Sequence, residues 1–132
     1  MFSFSKLVAL AVVATGIVDA QLPPCTRTYE VQAGDTCDKI ADSQGVSSFQ
    51  IAAVNPLTVI NAECSNLWVG QIICLAREGF DCSPVVTVSE GDTCVSIATA
   101  AGITYAKVLE NNPNVNEFCS NIYPGLVLCT QA

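Results

Sequence analysis

Gly34-Asp35-Thr36-Cys37 returns as Gly91-Asp92-Thr93-Cys94 after 57 residues, and the agreement runs on through Ile40-Ala41 and Ile97-Ala98. A repeat of this kind constrains the fold more than composition does, because each copy must be one supersecondary unit used twice. Gly34 and Gly91 supply a permissive turn backbone. Asp35-Thr36 and Asp92-Thr93 then offer side-chain oxygens to the unpaired amides of a first helical turn. Cys37, Ile40 and Ala41, like Cys94, Ile97 and Ala98, fall at i, i+3 and i+4, one apolar stripe of a helix. Gly45 and Gly102 stand where a left-handed residue ends that helix.

The eight cysteines follow the same repeat: Cys25, Cys37, Cys64 and Cys74, then Cys82, Cys94, Cys119 and Cys129. An even number in a short chain with a leader reads as disulfides. Because the spacing repeats whole, the bridges are expected to close within each repeat. Three connectivities per repeat are open. Cys25–Cys74 with Cys37–Cys64 is favoured if the first strand starts beside the end of an antiparallel last strand. The spacing holds no close CxxC or CxxH pair, so no metal and no cofactor is expected. Each repeat has about fifty residues, fewer than the roughly 70–80 at which a core alone usually suffices. Two bridges per repeat, each contributing roughly 2–4 kcal/mol, would supply the deficit.

Residues 1–20 read as a signal peptide: Lys6 precedes the apolar run Leu7–Ala14, and the small-residue ending Val18-Asp19-Ala20 resembles a cleavage site. The run is too short for a membrane span. The mature chain is therefore expected to begin at Gln21 and to be secreted. It keeps a net charge of −7, since the leader removes one base and one acid. With no basic cluster, neither nucleic acid nor an anionic membrane is an expected partner. The chain has no histidine, which removes the commonest general base and weakens hydrolase readings.

Within repeat one, residues 25–75, Thr28–Val31 alternates as a short strand, and a helix is expected from Asp35 to about Gln44. Ser47 caps a second helix, Ser48–Val54, which Asn55-Pro56 ends because the residue before proline avoids helical geometry. A turn and closing strand follow over Leu67–Leu75. Repeat two, residues 82–130, reads likewise: a strand at Val85–Val88, a helix from Asp92, Thr104 capping a helix through Asn111, then Asn112-Pro113 and a closing segment over Ile122–Cys129. Residues 76–81 form a linker too short for free tumbling. The fold class is α+β, two tandem disulfide-stabilised β-α-α-β modules.

The order strand, Gly-Asp-Thr, Ile-Ala, Gly, Asn-Pro, a turn such as Tyr123-Pro124-Gly125 and a closing strand resembles the lysin motif (LysM). The resemblance covers Arg27–Leu75 and Val85–Thr130, and the cysteine in Gly-Asp-Thr-Cys is similar to the fungal subset. As a whole the chain resembles fungal secreted LysM effectors. That resemblance implies binding of chitin and other N-acetylglucosamine oligomers, without catalysis, between the turn entering the first helix and the loop leaving the second. Carried over by position, the sites would be Gly34, Asp35, Thr36, Asn55, Pro56, Leu57 and Thr58, and Gly91, Asp92, Thr93, Asn112, Pro113, Asn114 and Val115. It further implies sequestration of chitin fragments from host immune receptors or shielding of hyphal chitin from chitinases. A dimer formed on the ligand is a further expectation.

Repeat one has two extra residues between Asn55 and Cys64, and repeat two has Val86 where repeat one has Tyr29; the second site is expected to be the stronger. Trp68 and Tyr123 occupy matching positions and are expected to close hydrophobic contacts rather than stack on sugar. Asp38, Asp42, Glu63 and Glu117 read as solvated charges. Three other readings compete. A small glycosidase needs a carboxylate pair across a cleft, and the acids here recur at cap and surface positions. A cell-wall coat protein of hydrophobin type would carry adjacent cysteine doublets, which are absent. A peptidoglycan-binding LysM protein would be the same fold on a neighbouring ligand.

Overall fold

The structure, a computed structural model, describes residues 22–132; the expected leader lies outside the described residues. Its elements are β1 (Cys25–Glu30), α1 (Cys37–Gln44), α2 (Ser48–Val54), β2 (Ile72–Arg77), β3 (Val85–Thr87), α3 (Cys94–Ala101), α4 (Tyr105–Asn111) and β4 (Val127–Cys129). In each repeat the two strands pair antiparallel, β1 with β2 and β3 with β4, so a helix pair packs on a two-stranded ribbon.

The first helix of each repeat begins later than its aspartate suggests. Thr36 and Thr93 are the N-caps, accepting from the amides of Lys39 and Ser96. The preceding aspartates close the turn instead, since Asp35 and Asp92 accept from the amides of Gln32 and Ser89. A carboxylate two residues ahead of the first helical residue thus tightens the turn, and the threonine caps. Gly45 and Gly102 end the helices at φ 72° and 73°, a conformation that costs a residue with a Cβ. Ser47 and Thr104 cap α2 and α4 as the sequence suggests.

Disulfides join Cys25–Cys74, Cys37–Cys64, Cys82–Cys129 and Cys94–Cys119. Both repeats therefore use the favoured connectivity. One bridge ties the first strand, or in repeat two the segment just before it, to the last strand, and the other ties the start of the first helix to the loop after the second.

Asn55 and Asn112 serve the fold rather than the surface. The Asn112 amide donates to the carbonyls of Val108 and Cys129, at 2.8 and 2.9 Å, and its oxygen accepts from Cys129 N–H at 2.8 Å. Asn55 repeats the arrangement with Ile51 and Cys74. One side chain thereby pairs the end of the second helix with the closing strand, and both asparagines are buried.

The two repeats are packed together. Leu126 and Leu128 fill the second core, whereas Val127 belongs to the first, beside Ile40 and Ile51. β4 therefore has apolar partners on both faces, with α1 and α2 on one side and α4 on the other. The segment 76–81 is fixed as well. Buried Gln50 accepts from Cys82 N–H at 2.8 Å and donates to Asp81, which also pairs with Arg27 at 2.7 Å.

Asn112→Ala should leave the Cys129 N–H and C=O unmatched at roughly 1–3 kcal/mol each, while the Val108 carbonyl keeps its bond from the Asn112 backbone N–H. We expect a stability loss of about 2 kcal/mol or more in urea unfolding; a loss below about 1 kcal/mol would contradict the role given to this side chain.

Candidate functional site

The seam between the repeats opens into a cleft of about 490 Å³. Thr36, Asp38, Leu57 and Glu63 come from repeat one, and Asn114 and Tyr123 from repeat two. Thr36 is placed by its capping role and Leu57 by the Asn55-Pro56 corner. The two extra residues of repeat one are taken up between Pro56 and Ile60, where the amides of Val59 and Ile60 both bond to the Pro56 carbonyl. Beyond them the repeats agree again: Asn61 with Ser65 and Asn66 makes the same bonds as Asn116 with Ser120 and Asn121. The insertion therefore lengthens only the cleft wall that carries exposed Leu57.

A hydrogen-bond chain holds the opposite wall. Val127 N–H donates to Ser48 Oγ at 3.0 Å, and the Ser48 hydroxyl donates to Asp38 Oδ1. The Tyr123 hydroxyl donates to Asp38 Oδ2 at 2.6 Å. Burial in the seam, then the bond to Asp38 and its negative charge, push the Tyr123 phenol up to about 12. Asp42 likewise accepts from the Thr87 hydroxyl. Asp38 and Asp42 are thus seam acceptors, not the free charges read from the sequence, while Glu63 and Glu117 are exposed. Tyr123 is half exposed and bonds to the other repeat, Trp68 is largely exposed, and neither belongs to the core cluster of its own repeat.

The sequence-derived site residues fall in unlike places. Thr36 and Leu57 meet Asn114 in the shared cleft. Gly34, Pro56 and Thr58 are exposed beside it, and the Asp35 carboxylate is taken by Gln32 N–H and by the Tyr29 hydroxyl, both at 2.7 Å. That bond and the nearby negative charge raise the Tyr29 phenol pKa. Val86 cannot supply such a hydroxyl, and Asp92 lines an open groove of about 500 Å³ with Val86 and Ser96. Gly91 and Thr93 are exposed, and Val115 is a core residue of repeat two. Pro113 borders another hollow, about 560 Å³, with Phe49 and Phe80, which contains neither Gly-Asp-Thr turn. Asn55 and Asn112 spend their side chains internally, so they can act outward only through backbone and placement.

What sequence reasoning missed is the sharing of one cleft by both repeats. The available signal was the charge pattern: Asp38 and Asp42 have Val95 and Thr99 as counterparts, so these acids are peculiar to the repeat whose helices are covered. Among the described residues no group of histidine, cysteine or acidic side chains could hold a metal ion, and no helix is long and apolar enough to cross a membrane.

A neutral Tyr123 holds the seam, so its contribution should be complete below pH 10 and lost as pH rises through about 12. Tyr123→Phe should lower stability at neutral pH by about 1 kcal/mol, the usual net value of one hydrogen bond. We expect the gap between wild type and variant, read from urea midpoints, to shrink from pH 10 to 12. A gap constant across that window would count against the bond.

The LysM domain model matches residues 29–76 and 86–130. The chain is similar to the secreted LysM effector LysM1 of Trichophyton rubrum, 34% identical over 128 residues, covering 80% of this chain and 50% of that protein. It is also similar to the secreted LysM effector Blys8 of Beauveria bassiana, at 27% identity, covering 84% and 35%. With the secreted LysM effector Vd5LysM of Verticillium dahliae it shares 35% identity over 103 residues, covering 76% and 14%. The chain spans half or less of the length of these curated relatives. It belongs to the LysM family and carries two LysM domains, each closed by two disulfides.

Proposed function

We propose that this chain is a secreted, non-catalytic binder of N-acetylglucosamine oligomers, chitin above all, and that the seam cleft is its principal site. The observation that carries the reading is the meeting of Thr36 and Leu57 with Asn114 and Tyr123 across the repeats. Two loops and a helix start offer backbone donors and acceptors suited to an acetamido group. Leu57, Ala52 and Ala62 can hold its methyl, and the Tyr123 ring forms part of the wall. The family match and the effector relatives support this substrate class, and the apolar leader of residues 1–20 supports secretion.

The acids in the cleft do not favour hydrolysis. Both oxygens of Asp38 accept hydroxyl protons that hold the seam, so it is not free to serve as one of two catalytic carboxylates. The chain would act by occupancy, withholding chitin fragments from host receptors or covering hyphal chitin against chitinases. A long oligomer reaching past one cleft could also join two molecules by effective concentration.

Charge and chemistry make opposite demands, which gives the test. The chain carries −7, so electrostatics alone would favour the cationic deacetylated polymer at low salt. An acetamido site argues the reverse, because losing the group leaves polar atoms unpaired at roughly 1–3 kcal/mol each, against about 0–1 kcal/mol for an exposed ion pair. In calorimetric titrations we expect chitin oligomers to bind, and fully deacetylated ones of equal length not to bind at physiological salt. Tighter, salt-sensitive binding of the deacetylated ligand would overturn the reading. Protection of chitin from added chitinase separates shielding from sequestration.

A further inference from the structure

The seam is a head-to-tail contact: the ribbon of repeat two sits on the helices of repeat one. Its two halves therefore recur, uncovered, at the ends of the molecule. Positions correspond at a spacing of 57 residues through the helices and 55 after the loop insertion, as Cys37–Cys94 and Cys64–Cys119 show. Tyr123 and Val127, on the ribbon side of the seam, have Trp68 and Ile72 as counterparts. Asp38 and Glu63, on the helix side, have Val95 and Phe118.

These four counterparts are each at least 60% exposed, whereas Val127 is fully buried. At two of the three polar seam contacts their chemistry matches across the free faces; at the third, Val127 N–H on Ser48, Tyr105 stands in place of the serine. Where the internal seam has the Tyr123–Asp38 hydrogen bond, the free faces offer Trp68 and Val95, both apolar. Where it has the Thr87 hydroxyl on Asp42, they offer Glu30 and Thr99, the same pair with donor and acceptor exchanged. Replacing only one member of a polar pair by an apolar residue would strand the other; here both are replaced. An exposed tryptophan flanked by further apolar residues is the composition of a contact centre.

We propose that a second copy of this chain docks head-to-tail, the Trp68–Ile72 face of one molecule seating on the Val95–Phe118 face of the next. The contact requires no sugar and does not rest on the chitin reading. It is heterologous, so each added copy leaves one face free at either end and the assembly grows as an open chain unless the rotation closes a ring.

The test is sedimentation velocity of the disulfide-bonded mature chain, without sugar, over a concentration series. The wild type should rise past the mass of a dimer. Trp68→Glu and Val95→Glu should each raise the apparent dissociation constant by about tenfold or more. An equal mixture of the two should stop at a dimer, because one intact ribbon face meets one intact helix face. Ile72→Lys and Phe118→Lys repeat the pair should either glutamate variant melt below wild type. A wild type that stays monomeric throughout would overturn the proposal. So would association that survives substitution on both faces, or a Val95→Glu chain that associates like wild type while Trp68→Glu does not, the pattern of a ribbon-to-ribbon dimer.

Discussion

Val127 is buried against a core that its own repeat does not supply, and the rest of the molecule follows from that placement. A two-stranded ribbon is marginal alone, and β3–β4 gains a second apolar face by lying on α1 and α2 as well as on its own helices. The same strand carries the amide that reaches Ser48, and the turn before it carries Tyr123 to Asp38. Packing thus sets the repeats' relative position, and polar bonds at its edge fix the register. Gln50 and Asp81 tie down the short connection between them.

Two similar repeats need not give two similar sites. Repeat one receives a neighbour on its helices and repeat two does not. The cleft therefore joins Thr36 and Leu57 to Asn114, while Asp92 faces a separate groove. Tyr29 and Val86 sharpen the difference, because one aspartate has a phenol on it and the other has open space. The expectation of a stronger second site rests on comparing each repeat with a pattern. The shared cleft, by contrast, is walled by both repeats, with Thr36 and Leu57 from the first and Asn114 and Tyr123 from the second.

Much of the fold is legible in the sequence because its determinants are local. Ser47, Thr104, Gly45 and Gly102 mark helix ends by chemistry that acts within a few residues, and the repeated cysteine spacing confines the bridges to one repeat. The start of the first helix is two residues later than expected because Asp35 and Thr36 can both cap, and only the backbone shows that the aspartate turns to Gln32. The seam is not legible for a different reason. Asp38, Asp42 and Tyr123 are ordinary surface residues of a single unit, and become partners only when two units pack. Asn55 and Asn112 lie at the expected corner, but their burial and internal bonds are tertiary facts.

Whether one ligand engages both repeats in the seam distinguishes a shared cleft from two separate sites. The direct measurement is a backbone-amide NMR titration of the mature chain with a chitin oligomer. The shared cleft predicts that Thr36, Leu57, Asn114 and Tyr123 shift together along one isotherm. Shifts confined to one repeat, or two independent isotherms for the loops of the separate repeats, would contradict it.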